Sequence, residues 1–318
     1  MARDNSLTVR LDAGDDALDA FRRVLANLAD TIEVNLEGTI ADTDPELLHE
    51  LRVAIRRTRS VLAHGRSVVP ADIRDRYREA FGELGQLTGP PRDLDVQVMG
   101  WADFVSPLDP ADAVILETVR AELEVRRSAA HRHLSEGLGR ATTRDLLGGW
   151  RRWLADPTIE AGAPAPIGAV VAERIAKAQA KVVRQGRSIG PTSPPEMLHD
   201  LRKDAKKLRY LVECFGSLFP AKVRKAFVSQ LKALQENLGD HQDAEVQLAA
   251  LRDLARDLHQ RGSVDADALL VMGRLSEHVD RRRRHERAEF AQRFAAYDTK
   301  ANRRALKQML HGAAGGRE

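Results

Sequence analysis

The sequence predicts an all-α protein, and three observations predict it. Hydrophobic residues make up 43% of the 318, charged residues 31% and aromatics only 4%, a mixture rich in Ala, Leu, Arg and Glu that suits helices packed on helices. Apolar residues recur every three or four positions, beginning with Leu18, Phe21, Leu25, Leu28 and Ile32, which is the period of one helix face. No segment alternates long enough to read as a central strand; residues 7–11 are the one stretch compatible with an extended conformation. The length suffices for one large domain or two ordinary ones, each with its own core.

Taken in order, the periodicity predicts a first helix from about Asp15, then helices over 46–67, 71–88, 92–104, 110–136 and 141–154. Pro45, Pro70, Pro90, Pro91, Pro107 and Pro110 stand between them, where a missing N–H and a fixed φ start or stop a helix. The run from Asp156-Pro157 to Ala165-Pro166 reads as a linker. Helices resume over 167–186, 195–217, 220–238, 241–261, 264–296 and 299–311, with a Pro/Gly/Ser loop from Ser188 to Pro195 and a frayed tail from Gly312 to Glu318. The expected organisation is two helical bundles, residues 1–157 and 158–318.

An internal repeat supports that division. HELRVAIRRTRSVLAHGRSVVP begins at His49, and HDLRKDAKKLRYLVECFGSLFP begins 150 residues later at His199. The same offset pairs Pro70 with Pro220, Leu84 with Leu234, Gly89 with Gly239, Asp93 with Asp243, and Val96-Gln97 with Val246-Gln247. An ungapped register of this length points to two copies of one structural unit. Gly89 and Gly239 read as helix-ending glycines, and Asp93 and Asp243 as N-caps of the helices that follow. His241 has a proline at its counterpart, Pro91, and reads as structural.

Each copy carries one concentrated cationic face. On a helix advancing about 100° per residue, His49, Arg52, Arg56 and Arg59 fall on one side, with Arg57 flanking them. Leu51, Ile55, Thr58 and Leu62 fall on the other side and can face a core. The second copy places His199, Arg202, Lys206 and Arg209 in a stripe widened by Lys203 and Lys207, opposite Leu201, Ala205, Leu208 and Val212. A solvated helix alternates charge sign. These stripes do not, and Glu213 alone falls on the second one, where it can pair with Arg209. Like charges so arranged destabilise a helix unless an anion joins them, so the duplicated stripe predicts a polyanionic ligand. Arginine offers phosphate a planar fork and lysine a point charge. His49 and His199 could donate to phosphate or brace neighbouring helices. Arg22, Arg174, Lys177 and Lys181 could extend the surface, although each suits an ordinary solvated face, as do Arg126-Arg127 with His131-Arg132 and the run Arg281 to His285.

Several classes are excluded. Lys and Arg number 50 against 47 Asp and Glu, a net charge of +3, so any functional charge arises from segregation rather than excess. The single cysteine, Cys214, forbids an intrachain disulfide and fits a reducing compartment. The N-terminal sequence lacks the apolar core of a signal peptide, and no run reaches membrane-spanning length. These features predict a cytoplasmic protein. No phosphate-binding loop, nucleophile elbow or metalloenzyme histidine pair occurs, so no catalytic residue, cofactor or metal is expected. No second His, Cys or carboxylate stands at tight ligand spacing beside either stripe histidine.

The motif His49-x-Leu51-Arg52-x3-Arg56-Arg57-x-Arg59, its second copy His199-x-Leu201-Arg202-x3-Lys206-Lys207-x-Arg209-Tyr210, and the paired Gly-x3-Asp segments resemble the CHAD family of conserved-histidine α-helical domains, over about residues 15–311. The resemblance implies two helical bundles related by a pseudo-twofold axis, with a basic groove or cavity between them. It also implies binding of inorganic polyphosphate and association with polyphosphate granules. Many members sit beside a tunnel-type triphosphatase; this chain shows neither alternating strands nor Glu-x-Glu-x-Lys and looks like a stand-alone member. The family's basic positions carry over to His49, Arg52, Arg56, Arg57 and Arg59, and to His199, Arg202, Lys206, Lys207 and Arg209; Lys203 carries over less directly. The leading expectation is a non-catalytic polyphosphate-binding module, with polyphosphate-metabolising proteins as further partners and no membrane role. Two alternatives stand beside it: a general polyanion or nucleic-acid binder, for which few aromatics are available to stack on bases, and a phosphoanhydride-processing enzyme using His49 and His199.

Overall fold

The expected helices form in a computed structural model that describes residues 9–66, 68–158 and 165–313. Among the described residues there is no β-strand, only an isolated bridge between Asp16 and Pro166. Helix α1 (Ala17–Ile40) is capped by Asp16, whose carboxylate accepts the Asp19 N–H at 3.1 Å. Its predicted stripe of Leu18, Phe21, Leu25, Leu28 and Ile32 is its buried face. The chain turns at Asp42, whose φ of 49° is a left-handed conformation that a short polar side chain tolerates. Helix α2 (Pro45–His64) then starts with proline in its first turn and an Asp44 cap 2.8 Å from the Glu46 N–H.

Helices α3 (Ala71–Leu87) and α4 (Gly89–Met99) meet at Thr88 alone. Pro90 and Pro91 explain the joint, because neither can continue the hydrogen-bond ladder of α3. Helices α5 (Trp101–Val105), α6 (Pro110–Ile115), α7 (Glu117–Leu138) and α8 (Ala141–Ala155) follow. The helices expected over 92–104 and 110–136 are thus each divided, at Gly100 and at Leu116.

The later part contains α9 (Ile167–Ser188), α10 (Pro195–Cys214), a short 3-10 turn (Gly216–Leu218), α11 (Ala221–Gln260), α12 (Ala266–Tyr297) and α13 (Lys300–Ala313). Helix α11 corrects the expected break near residue 239: Gly239 lies inside one helix of 40 residues. Glycine weakens a helix by only about 1 kcal/mol relative to alanine, and Asp240-His241 keep the N–H groups that Pro90-Pro91 lack. Asp93 and Asp243 are therefore not N-caps, since both lie within helices. Gly312, read as the start of a frayed tail, belongs to α13. Residues 314–318, the centre of the linker (159–164) and residues 7 and 8 lie outside the described residues. Residues 9–11 form no strand. Instead the Leu11 N–H donates to Ser217 Oγ at 3.1 Å, and that hydroxyl donates to the Val9 carbonyl at 2.7 Å.

Helix α2 packs on α1, α3, α4 and α10, and α10 packs on α9, α11 and α2. The main core is continuous across both parts of the chain. It takes Phe21, Leu51, Ile55 and Trp150 from the first and Leu201, Leu208, Phe215 and Tyr297 from the second. The rings of Phe21 and Phe215 meet with centroids 4.9 Å apart. A smaller core joins Trp101, Val119 and Leu123 to Leu251, Leu254 and Met272. Two arginines fix the chain where it enters α2 and α10. Arg127 on α7 holds Asp42 at 2.8 Å and the buried Asp95 at 2.7 Å, with His131 2.9 Å from the same Asp95. Arg287 on α12 donates to the carbonyls of Gly190 at 2.7 Å and Ser193 at 2.8 Å. Among the described residues, no helix is long and apolar enough to cross a membrane.

The packing of Phe215 on Phe21 makes a prediction. Phe215→Ala removes a fully buried ring at the junction and should lower unfolding free energy by about 3–5 kcal/mol, read as a shifted urea midpoint by circular dichroism.

Candidate anion-binding face

The apolar sides of α2 and α10 enter the core as expected: Leu51, Ile55, Leu62, Leu201, Ala205, Leu208 and Val212 are all at most 1% exposed. This burial fixes the rotation of each helix and turns its cations outward. Because α2 and α10 also touch, the two stripes adjoin, and Arg56 and Lys206 interact electrostatically across the helix pair.

On the α2 side, Arg52, Arg56 and Arg59 line a recess of about 190 Å³ with Gly82, Gly85, Gln86 and Thr88. The guanidinium groups lie directly against its glycines. A Cβ at Gly89 would sit 3.4 Å from Arg52 Nη1, and one at Gly82 would sit 3.5 Å from Arg59 Nη2. Arg52 donates weakly to the Gly85 carbonyl at 3.4 Å and to Thr88 Oγ1 at 3.3 Å, near the C-terminal end of α3, where carbonyl dipoles favour a cation.

On the α10 side, Arg202 meets Asp243 of α11 at 3.3 Å. His199 is braced, its Nδ1 lying 2.6 Å from Gln242 Oε1. Glu213 ties the helices together: it accepts from Arg57 at 3.0 Å and faces Arg209 at 3.6 Å. Both guanidinium groups also lie over the Tyr210 ring, 5.7 and 5.5 Å from its centroid.

What distinguishes this face is its uncompensated charge. Among the described residues, no carboxylate lies within 4.0 Å of Arg56, Arg59 or Lys206. The Nε atoms of Arg56, Arg57, Arg202 and Arg209 are buried without a hydrogen-bond acceptor. Burial, then the neighbouring Arg202, Arg56 and Arg209, push the Lys206 ammonium down to about 8. Burial likewise lowers Arg52, with Arg56 and Arg92 adding repulsion. It also lowers His49, with Arg92 next in effect.

Asp93 is a component of this face that the sequence reading assigned to a cap. It is open to solvent yet surrounded by protein, and it senses Arg52, Arg56, Arg92 and Asp243. Desolvation by its surroundings raises its carboxyl pKa, and Asp243 adds to the rise. The offset of 150 residues that paired Asp93 with Asp243 was the available signal. Arg92, whose guanidinium donates to the Pro45 carbonyl at 3.5 Å, also joins the face.

The remaining candidates lie to the sides. Lys203 pairs with Asp200 at 2.7 Å. Lys207 and Lys181 both turn to Asp204, at 3.0 and 2.8 Å. Lys177 pairs with Glu173 on its own helix. Arg174 is near His64. Arg22 donates to the carbonyls of Trp153 and Leu154, both at 3.1 Å, and closes the end of α8. Around His49, Glu46 and Glu50 converge so that one ligand atom from each of the three lies within 4.8 Å of the others. This differs from the expectation of no carboxylate at ligand spacing, and it arises because the first helical turn stacks residues i, i+3 and i+4.

A cavity of about 560 Å³ is a separate feature between α4, α5, α7 and α11, lined by Trp101, Phe104, Leu123, Leu251 and Leu254. Its charged lining is mixed, with Arg126 and Arg282 against Asp103, Asp253 and Asp257, so it lacks the one-signed character of the stripes.

The model of the CHAD domain matches residues 23–252, and the chain belongs to that family. The fold is similar to the crystal structure of the CHAD domain from the plant Ricinus communis, with 25% identity over 95% of both chains and a TM-score of 0.67. It is also similar to PptA from Streptomyces chartreusis, with a TM-score of 0.70 over 88% of this chain and 100% of the other, at 15% identity. A search of curated proteins finds no match.

The charge crowding predicts an unusual titration. Lys206 should deprotonate with a midpoint near 8 rather than near 10.5, read by NMR of ¹³C-labelled lysine. A multivalent anion should move that midpoint upward, because a bound negative charge favours the ammonium.

Proposed function

We propose that the chain binds inorganic polyphosphate without transforming it, in a groove formed where the α2 and α10 stripes adjoin. The observation that carries this reading is the cluster of Arg56, Arg59 and Lys206, none with a carboxylate within 4.0 Å and all beside further arginines. A flexible anion charged at every phosphorus can satisfy such a face without a fixed register, through guanidinium forks on one side and mixed Lys/Arg donors on the other. Membership of the CHAD family supports the same ligand, as the sequence resemblance implied. In this reading the two basic helices are copies of one unit related by a pseudo-twofold axis. Arg127 and Arg287, each holding the loop before its basic helix, are consistent with that symmetry.

Polyphosphate is favoured over nucleic acid for a specific reason. Tyr210, the aromatic ring against which Arg57 and Arg209 lie, is only 4% exposed and offers no face to a base. The same reading places the protein in the cytoplasm at polyphosphate granules, where it would recruit polyphosphate-metabolising proteins.

The test is calorimetric titration with long-chain polyphosphate at two salt concentrations, beside single-stranded RNA of matched charge. Neutralising about six phosphates gives a log–log salt slope of roughly −4. Arg56→Glu with Lys206→Glu should abolish binding while helicity persists, since neither residue holds a structural ion pair; retained binding in the folded variant would refute the site. Incubation with polyphosphate and Mg²⁺ should release no phosphate.

A further inference from the structure

Lys206 differs from its lysine neighbours. Lys203 and Lys207, on the same helix, are held by Asp200 and Asp204, and Lys181 on α9 also goes to Asp204. Lys206 has no such partner and stands half-buried among Arg56, Arg202 and Arg209. Asp243 is within electrostatic reach of it but pairs with Arg202 at 3.3 Å. A primary amine thus sits inside a cluster of guanidinium groups, the side chains best suited to hold a phosphate. This combination suits more than passive binding, because the same cations that hold a phosphate would hold one attached to a leaving acyl group.

We infer that Lys206 is a site of acylation by small acyl phosphates, whose phosphate is held by Arg56, Arg202 and Arg209 while the lysine amine attacks the acyl carbon. The nitrogen lone pair forms the amide bond, and the carbon–oxygen bond to phosphate breaks. Inorganic phosphate leaves with that electron pair, and the ammonium proton passes to solvent. No oxidant or further reactant is needed. The attacking species is the neutral amine, and crowding that brings the ammonium down to about 8 makes it accessible near neutral pH. Holding the phosphate beside the amine converts a collision into a proximity-assisted reaction. The product amide carries no charge. Acylation would therefore remove one of the unpaired cations from the stripe junction and weaken polyanion binding, a consequence that rests on the proposed polyphosphate reading.

The experiment incubates the full chain with acetyl phosphate at pH 7.5 and follows each lysine by mass spectrometry. Lys206 should react on the order of tenfold faster than Lys203 and Lys207, after allowance for the lower nucleophilicity of a less basic amine. Arg56→Gln should slow Lys206 selectively, and inorganic phosphate at high concentration should protect it. Arg56→Gln also removes a charge that depresses the Lys206 ammonium, so acylation by acetic anhydride, which carries no phosphate, should slow too but by less than acylation by acetyl phosphate, and inorganic phosphate should not protect against it. Equal or slower modification of Lys206 in the folded protein overturns the inference, as does a rate unaffected by Arg56→Gln. Failure of polyphosphate to bind at all would count against the proposed function and leave the acylation result standing, so the two readings fail separately.

Discussion

The structure depends on two basic helices being held side by side against their own repulsion. Helices α2 and α10 pack together with Arg56 and Lys206 on adjoining faces. Two unit charges at a protein surface repel by about 1 to 4 kcal/mol at contact distance, depending on how much water intervenes. Each buried leucine or isoleucine contributes about 1.5–3 kcal/mol in the opposite sense. Leu51, Ile55, Leu62, Leu201 and Leu208 are all fully buried beneath the stripes, so apolar burial outweighs repulsion and the charges stay together. The core thus fixes a charge arrangement that the surface alone would disperse.

Compensation is present but placed at the margins. Glu213 serves Arg57 and Arg209 together, and Asp204 serves Lys181 and Lys207 together. These shared carboxylates anchor the flanking cations and leave the central ones unpaired. Asp93 and Asp243 approach the centre from α4 and α11, where they soften the field without neutralising it. Gly82 of α3 and Gly89 of α4 form the wall against which the guanidinium groups of Arg59 and Arg52 lie.

Much of this was legible in the sequence because amphipathic periodicity reports burial directly. The stripe of α1, the apolar sides of α2 and α10 and the all-helical class follow from spacing, and the motif led to the family. Helix continuity was less legible. Gly239 reads as a stop, but glycine lacks the steric veto of proline, and α11 runs through it. Reading it as a stop assigns Asp243 to a cap and away from the cationic face, while Asp93 falls inside α4 because that helix begins at Gly89, four residues before it. Pairing was also hidden. Lys207 shares the pattern of Lys206 in sequence, yet Asp204 of its own helix, which also pairs with Lys181 from α9, draws it aside. Cross-helix partners such as Glu213 for Arg57 need tertiary structure to be seen.

The two stripes are alike in placement and unlike in chemistry. Stripe positions on α2 are filled by Arg52, Arg56 and Arg59, and on α10 by Arg202, Lys206 and Arg209. Arginine remains charged at any physiological pH, whereas lysine yields its proton when crowded. The arginines of α2 crowd Lys206, and only the lysine responds by titrating near neutrality. The proline break between α3 and α4 sharpens the contrast, because the joint at Thr88 gives Arg52 an acceptor near the end of α3, while the unbroken α11 gives Arg202 a carboxylate. The α2 stripe therefore consists of fixed charges, and the α10 stripe sets one titratable amine, Lys206, between two more of them, Arg202 and Arg209. The field at the junction thus depends on pH through a single side chain, while the apolar positions beneath both helices hold the surrounding arginines in place.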